Sequence, residues 1–572
     1  MLNYLVSLLF ICVFFSPLWA SPLVDFQVAQ PLTLPSDAKQ CTVKILERTF
    51  AFSYGSPEVV SYTPATDCGT PGSWAGISLN LTVTSNGTQY DRLGIFTLNN
   101  VEIWRTSTPE PTRGDGIIWT YLKDVTRYTP LFAVPGTFTL ELDNLIETGL
   151  DGEYASVLYA TFYASSAQHP PGLHADVILP ISTLANNSGD LISVPPTFSL
   201  NVTVPRNAIS IYAEIIPSGN GDEEFWCFNI PNQWLNDLPA DTTFGYGPFR
   251  EVRLMVDGSV VGVVFPYVVV FTGGIAPTLW RPITSYGALD LPTFYVDLTP
   301  FVPVLTDGQP HNISMDVVSA ENDHEINQNW YLTANLQVVT DKSSTKPTTG
   351  KITVYDVQPF AETTTFGSVK NGVVSTTVTA TRNIHIESDI ISGSGERTHV
   401  VWLQSLSYSN VQTYRQNASV QTLRQTTTGS VSSTHNGQST IVDNFSLPFN
   451  VDFTYLTPDW TNWTTSVDHS YNRVAAVHPY VISTTIKNHQ TAAAFFQLAS
   501  TGNFGFGNNS NTFSYSDLNG NTYTWDVSSV NTSITHNAQG GTLAQNHQLP
   551  DETSSEVQSI FAKPRLPGRN NP

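Results

Sequence analysis

Ile77-Ser-Leu-Asn-Leu-Thr-Val-Thr84 puts Ile77, Leu79, Leu81 and Val83 on one side of an extended chain and Ser78, Asn80, Thr82 and Thr84 on the other. Successive side chains of a strand point to opposite faces, so this period of two predicts a half-buried β-strand. The pattern recurs along the chain. Phe138, Leu140 and Leu142 alternate with Thr139, Glu141 and Asp143, and Ile209, Ile211 and Ala213 with Ser210, Tyr212 and Glu214. Val252, Leu254 and Val256 alternate with Arg253, Met255 and Asp257, and Leu332, Ala334, Leu336 and Val338 with Thr333, Asn335 and Gln337. Long amphipathic helical patterns are absent; the best short helix is Asp124–Ala133, with Asp124 or Thr126 as its cap. Short strands divided by Gly, Pro and Asn turns predict an all-β chain of sandwiches or jelly rolls.

A chain of 572 residues is long enough for several such units. Residues 1–20 read as a secretory leader: an apolar run Leu5–Phe15, Pro17 to end it and Ala20 at the cleavage position, although no Lys or Arg precedes the run. The first jelly-roll domain is expected over 21–172 and the second over 173–341, with Ser165–Gly172 (SSAQHPPG) at the join. Residues 342–350, containing KSSTKPTTG, read as a linker. A Thr-, Ser- and Asn-rich β domain follows over 351–545, and 546–572 reads as a flexible tail.

The net charge is −22, with no basic run, which argues against nucleic acid as a partner and against stable association with anionic membranes. Ten N-x-[ST] triplets, at Asn80, Asn86, Asn186, Asn201, Asn312, Asn417, Asn444, Asn462, Asn508 and Asn531, are candidate glycosylation sites and suit secretion to the cell exterior or the vacuole. Cys12 leaves with the leader; Cys41 and Cys68 bracket one segment and are expected to pair in an oxidising compartment. Cys227 is left as a buried thiol or a reactive one.

Metalloprotease, zinc-finger, phosphate-loop and serine-hydrolase signatures are absent, so neither a metal nor a cofactor is expected. Carboxylates remain. Asp91 lies in Tyr90-Asp-Arg-Leu, Glu223 and Glu224 precede Phe225-Trp226, and Asp143 and Asn144 end a strand. A carboxyl beside aromatic walls is desolvated, which raises its pKa and suits it to proton transfer. A surface ion pair at Asp91-Arg92 and a solvated loop at Glu223-Glu224 are the plain alternatives. Trp226 and Trp280 could stack on sugar rings or fill a core, and Arg281 adds fixed donors.

Taken in order, several stretches resemble the plant and fungal acid peptide:N-glycanase family. They are Phe52-Ser-Tyr-Gly-Ser-Pro, Tyr90-Asp-Arg-Leu-Gly-Ile-Phe, Val101-Glu-Ile-Trp-Arg-Thr-Ser-Thr-Pro-Glu-Pro-Thr, Gly116-Ile-Ile-Trp-Thr, Glu223-Glu-Phe-Trp, Phe249-Arg-Glu-Val-Arg-Leu and Trp280-Arg-Pro-Ile. The likeness is strong over roughly residues 25–345 and weaker beyond, and Cys41 and Cys68 coincide with family cysteines. A more distant similarity is to the bacterial enzyme PNGase F, which has two jelly rolls. The resemblance implies hydrolysis of the β-aspartylglucosylamine amide of an N-glycoprotein or glycopeptide, turning Asn into Asp. It implies catalytic roles for Asp91 and for Glu224 or Glu223. Arg92, Trp226, Trp280, Arg281 and either Asp143 or Asn144 would then bind substrate. A glycan-binding jelly-roll protein and a glycoside hydrolase with paired carboxylates are the alternatives.

Overall fold

A computed structural model of the chain describes residues 22–185, 187–477, 481–500 and 502–546. The leader, the tail beyond Asn546 and the triplet at Asn186 lie outside the described residues. The chain is all-β. The first unit holds β1 (Leu23–Asp25), β2 (Gln40–Phe50), β3 (Glu58–Tyr62), β4 (Gly76–Asn86), β5 (Leu93–Leu98), β6 (Val101–Ser107), β7 (Ile117–Asp124), β8 (Gly136–Leu142) and β9 (Glu153–Tyr163). One sheet runs β1-β7-β4-β9-β2 and the other β3-β8-β5-β6. Leaving aside β1, early strands pair with late ones in each sheet, as the nested Greek keys of a jelly roll require. Leu79, Leu81 and Val83 of β4 are buried between the sheets with Phe96, Phe138, Leu140 and Phe162, as the period of two predicts. Cys41 and Cys68 form a disulfide, and Cys227 is a buried thiol.

The second unit repeats the wiring. Its strands are β10 (Val177–Ile181), β11 (Ile192–Val194), β12 (Phe198–Val202), β13 (Ala208–Asn220), β14 (Glu251–Val256), β15 (Ser259–Val264), β16 (Phe294–Asp297), β17 (His311–Val318) and β18 (Asn329–Thr340). The sheets run β10-β18-β13-β16 and β12-β17-β14-β15, with β11 added to β18. The 124–133 segment is a strand end followed by a 3-10 turn, Thr126–Tyr128, and one α turn, Thr129–Phe132. Asp124 Oδ1 accepts the Thr126 N–H, 2.8 Å.

The polar faces of β13 and β18 are not wet. Glu214, Thr333, Asn335 and Gln337 are all buried. Arg127 Nη2 and Tyr128 Oη of the first unit donate to Glu214, both at 2.8 Å, and Gln337 Nε2 adds a third bond. Glu102 of β6 holds Arg105 in a bidentate pair, and Arg105 Nη1 crosses to Ser218 and the Tyr331 carbonyl. Alternation tells which face of a strand is polar; it does not tell whether another unit covers that face.

The residues read as a linker lie along the second unit: the Thr348 N–H donates to the Arg206 carbonyl and Asn207 Nδ2 to that of Ser344. Thr349 already begins the third region, a single eleven-stranded antiparallel sheet among the described residues. Two of its strands, Val373–Ile391 and Arg397–Arg415, have 19 residues each. Their buried face lies against the second unit, and much of it is polar. Gln404 Nε2 donates to the Val263 carbonyl, Tyr408 Oη to that of Pro248, and Asn509 Nδ2 to that of Leu279. Side-chain amides and a hydroxyl here satisfy carbonyls of the edge strand β15 and of loops, which is why so Asn- and Thr-rich a sequence still folds against a neighbour.

Residues 23–28 join all three parts. β1 pairs in parallel with β7, Phe26 bridges to Ile283, and the Phe26 ring stacks on Trp525 with centroids 5.2 Å apart. Gln27 Oε1 accepts the Leu289 N–H.

Candidate active site

A polar cleft of about 330 Å³ opens between the two jelly rolls. The first unit lines it with Tyr54, Asp91, Arg92, Glu141 and Asp143, the second with Asn220, Gly221, Glu224, Phe271 and Tyr331. Asp91 sits just before β5. The Thr108 N–H donates to the Arg92 carbonyl, and Thr272 Oγ1 donates to the Thr108 carbonyl at 2.7 Å. This laces the strand start to a loop of the second unit. Gly273 in that loop donates its N–H to the Asp91 carboxylate. A methyl group on Gly273 would fall 2.2 Å from Glu110 Oε1 and 2.9 Å from Asp91 Oδ1, so only a glycine lets the backbone approach both acids. Trp280 Nε1 holds the next residue by its carbonyl, 2.8 Å from Gly274 O.

Three carboxyls interact here, and sequence reasoning missed one of them. Burial pushes Asp91 above the usual carboxylate range, while the Gly273 N–H and the Arg92 charge draw it partly back. Burial and the Asp91 charge raise Glu110 to about 7, against the pull of Arg281. Glu224 is raised by burial and by the charges of both Asp91 and Glu110, with no cation opposing. Acids so close cannot all ionise together, so the group holds protons near neutral pH. Glu110 stands between Pro109 and Pro111, and a carboxylate fixed between two prolines was the signal that could have marked it. Asp25 was missed as well. It is fully buried without a hydrogen-bond partner, and burial raises it to about 8 with only Arg281 opposing.

The other expected residues divide. Arg92 lines the cleft, with Nη2 on Gln89 Oε1 at 2.7 Å. Asp143 lines it too; Oδ1 accepts the Gly55 N–H, and burial raises its pKa against that bond and the Arg92 charge. Asn144 lies behind the wall, wholly buried, donating to the Phe50 and Gly152 carbonyls. Glu223 is not in the cleft. It is a core acid, clamped by Arg250 at 2.5 and 2.6 Å and receiving the Asn327 N–H and Trp330 Nε1. The 3-10 turn Gly221–Glu223 sends adjacent side chains in different directions, so Glu224 alone meets the cleft. Trp226 is a core residue packed on Trp330 and Tyr408, and Trp280, 1% exposed, braces the glycine loop rather than facing a ligand. Arg281 Nη2 donates to the Glu110 carbonyl, 3.2 Å, and lies 3.6 Å from its carboxylate. Among the described residues no group of three or more His, Cys, Asp and Glu side chains is arranged to hold a metal ion.

The family model described as Peptide N-acetyl-beta-D-glucosaminyl asparaginase amidase A matches residues 31–358, which include Asp91, Glu110, Glu224 and Arg281. The chain belongs to this family. A second model, for the PNGase_A C-terminal domain, matches 375–449. Peptide-N4-(N-acetyl-beta-glucosaminyl)asparagine amidase A of Prunus dulcis is 38% identical over 355 residues, 59% of this chain and 60% of that protein. The chain thus spans under two thirds of that relative's length. Of solved structures, PNGase F from Flavobacterium meningosepticum aligns over 53% of this chain and 96% of its own at 12% identity, TM-score 0.35. PNGF-II aligns over 53% and 66% at 13% identity with the same score. Likeness at that level decides nothing about the fold or the site.

Proposed function

We propose that the chain is a peptide:N-glycanase that hydrolyses the amide joining an N-glycan to asparagine. The observation that carries this reading is the meeting of Asp91 and Glu224 in one cleft, with Glu110 beside Asp91 at the Gly273 loop, all three raised by burial and all within the family-matched residues. Amide hydrolysis needs a base for water, a donor to the carbonyl oxygen and an acid for the leaving nitrogen. Asp91, held toward its ionised form by the Gly273 N–H and Arg92, takes the proton of the attacking water. Arg92 polarises the carbonyl. Glu224, with two negative neighbours and no cation, keeps its proton and delivers it to the nitrogen as the C–N bond breaks. The products are aspartate on the peptide and a glycosylamine that later loses ammonia to water. Glu110 adds to the charge that keeps Glu224 protonated, and Arg281 fixes Glu110.

Product mass tests this. A defined N-glycopeptide treated with the purified protein should yield a peptide in which the former Asn has exchanged NH for O. Sugar left on an intact Asn would make the protein a glycosidase, and glycopeptide bound but unchanged across acid and neutral pH would make it a lectin.

Secretion belongs to the same proposal. The Cys41–Cys68 disulfide suits an oxidising compartment, and Asn86, Asn201, Asn417, Asn444, Asn508 and Asn531 are exposed as glycan acceptors must be. Asn80 and Asn462 are only half-exposed and are poorer acceptors. Material from the culture medium should begin just after Ala20 and carry glycan at the exposed positions; an intact leader on cytosolic protein would refute this.

A further inference from the structure

A second groove, of about 220 Å³, adjoins the cleft and shares Gly221 with it. Its character differs. The cleft's polar walls carry carboxylates, Arg92, Asn220 and two tyrosines among a few apolar side chains, whereas the groove sets Phe225, Phe228, Phe244, Ile275, Phe453 and Tyr455 among shorter polar ones. Phe225 directly follows Glu224, and its ring would lie 3.1 Å from a methyl group on Gly274, beside the loop that carries Gly273. The far wall comes from the eleven-stranded sheet and is rigid. Phe453 stacks on Trp463, Tyr455 stacks on Trp460, and Trp463 Nε1 donates to the Ile275 carbonyl at 3.2 Å. Phe244 stands 47% exposed at the rim. Asn229 lines the groove at 1% exposure, and its Nδ2 has no hydrogen-bond partner, an outcome rare for a buried amide.

We propose that this groove binds the peptide arm of the substrate, taking an apolar or aromatic side chain next to the glycosylated asparagine, with Asn229 Nδ2 donating to a peptide carbonyl. The proposal rests on the amidase reading above. A glycopeptide leaves the scissile amide in two directions, one polar and one partly apolar. Two pockets of matching character meet at Gly221 beside the acids. The phenyl rings offer an apolar side chain close packing and give sugar hydroxyls no hydrogen bond, whereas the polar cleft offers such bonds. The third region then has a function: it supplies one wall of the peptide site.

Two glycopeptides carrying one glycan test this, with Phe or Gly beside the glycosylated Asn. Desolvating a phenyl side chain predicts a KM roughly tenfold lower for the Phe peptide, with kcat alike. Phe453→Ala should erase that preference by raising KM for the Phe peptide alone. Phe244→Ala, at an exposed position where folding is not at risk, should reduce it in the same sense. Equal KM increases for both peptides, or a penalty that grows with glycan length instead of with the neighbouring residue, would overturn the proposal. Wild-type protein that cleaves neither peptide sinks the amidase reading. The groove is then judged by calorimetry, where equal affinity for the two peptides refutes it.

Discussion

Two cavities lie at domain junctions, and their charges are arranged in opposite ways. Asp91 and Glu224 line the cleft with Arg92, Glu110 meets Asp91 at the Gly273 loop with Arg281 on its carbonyl, and all three acids are pushed upward. The other cavity, about 220 Å³, is bordered by the 27–30 segment and by all three β regions. Charges along it are matched: Lys123 with Asp290 at 2.5 Å, Arg127 with Glu214 at 2.8 Å and Arg473 with Asp443 at 2.6 Å. Burial would raise Glu214, yet Arg127 and the Tyr128 hydroxyl hold it below the usual range. Burial alone therefore does not make an acid reactive. The distinguishing feature is counter-charge too weak to offset burial at Asp91 and Glu110 and lacking at Glu224, and four predictions sharpen or break that contrast.

The largest effect is expected for Asp91→Asn and Glu224→Gln, each lowering kcat by roughly 10²–10⁴-fold with the unfolding midpoint unchanged or raised. Normal turnover in either variant would place the chemistry elsewhere. Glu223→Ala should do the reverse. Leaving Arg250 buried and alone costs about 3–5 kcal/mol in urea unfolding, and a stable, inactive Glu223→Ala protein would restore that residue to the catalytic set.

The third prediction concerns pH. Glu110 titrates near 7 in the folded chain against an ordinary 4.5. The folded state thus holds its proton longer than the unfolded state. The stabilisation is complete below pH 4.5 and is lost as pH rises through 7, amounting to about 3 kcal/mol at 1.36 kcal/mol per unit. Glu110→Gln should flatten that limb of a thermal-unfolding profile; an unchanged slope would show that Glu110 is solvated. The smallest effect is expected for Gly273→Ala, which must move Glu110 or Asp91 and should lower kcat by up to roughly 100-fold with the fold retained. Full activity there would mean that the loop yields freely.

Much of this was legible beforehand because strands declare themselves locally. Ile77–Thr84 needed no partner to reveal its buried face. The cleft was legible only in part. Asp91 and Arg92 stood out in an aromatic context, but Glu223 and Glu224 are neighbours whose fates are set by the turn between them and by Arg250, 26 positions after Glu224. Glu110 and Asp25 owe their raised pKa to burial by distant segments, and the Arg281 that opposes both lies more than 150 residues away in the sequence. Trp226 and Trp280 illustrate the opposite error: tryptophans suited to sugar are equally suited to a core, and local context cannot choose between them.

The strap at residues 23–28 has a consequence for how the molecule is made. It leaves the ribosome before any of the surfaces it joins, and its last partner, Trp525, emerges nearly five hundred residues later. Synthesis order and assembly order are thus inverted at this point. A segment made early is among the last to dock.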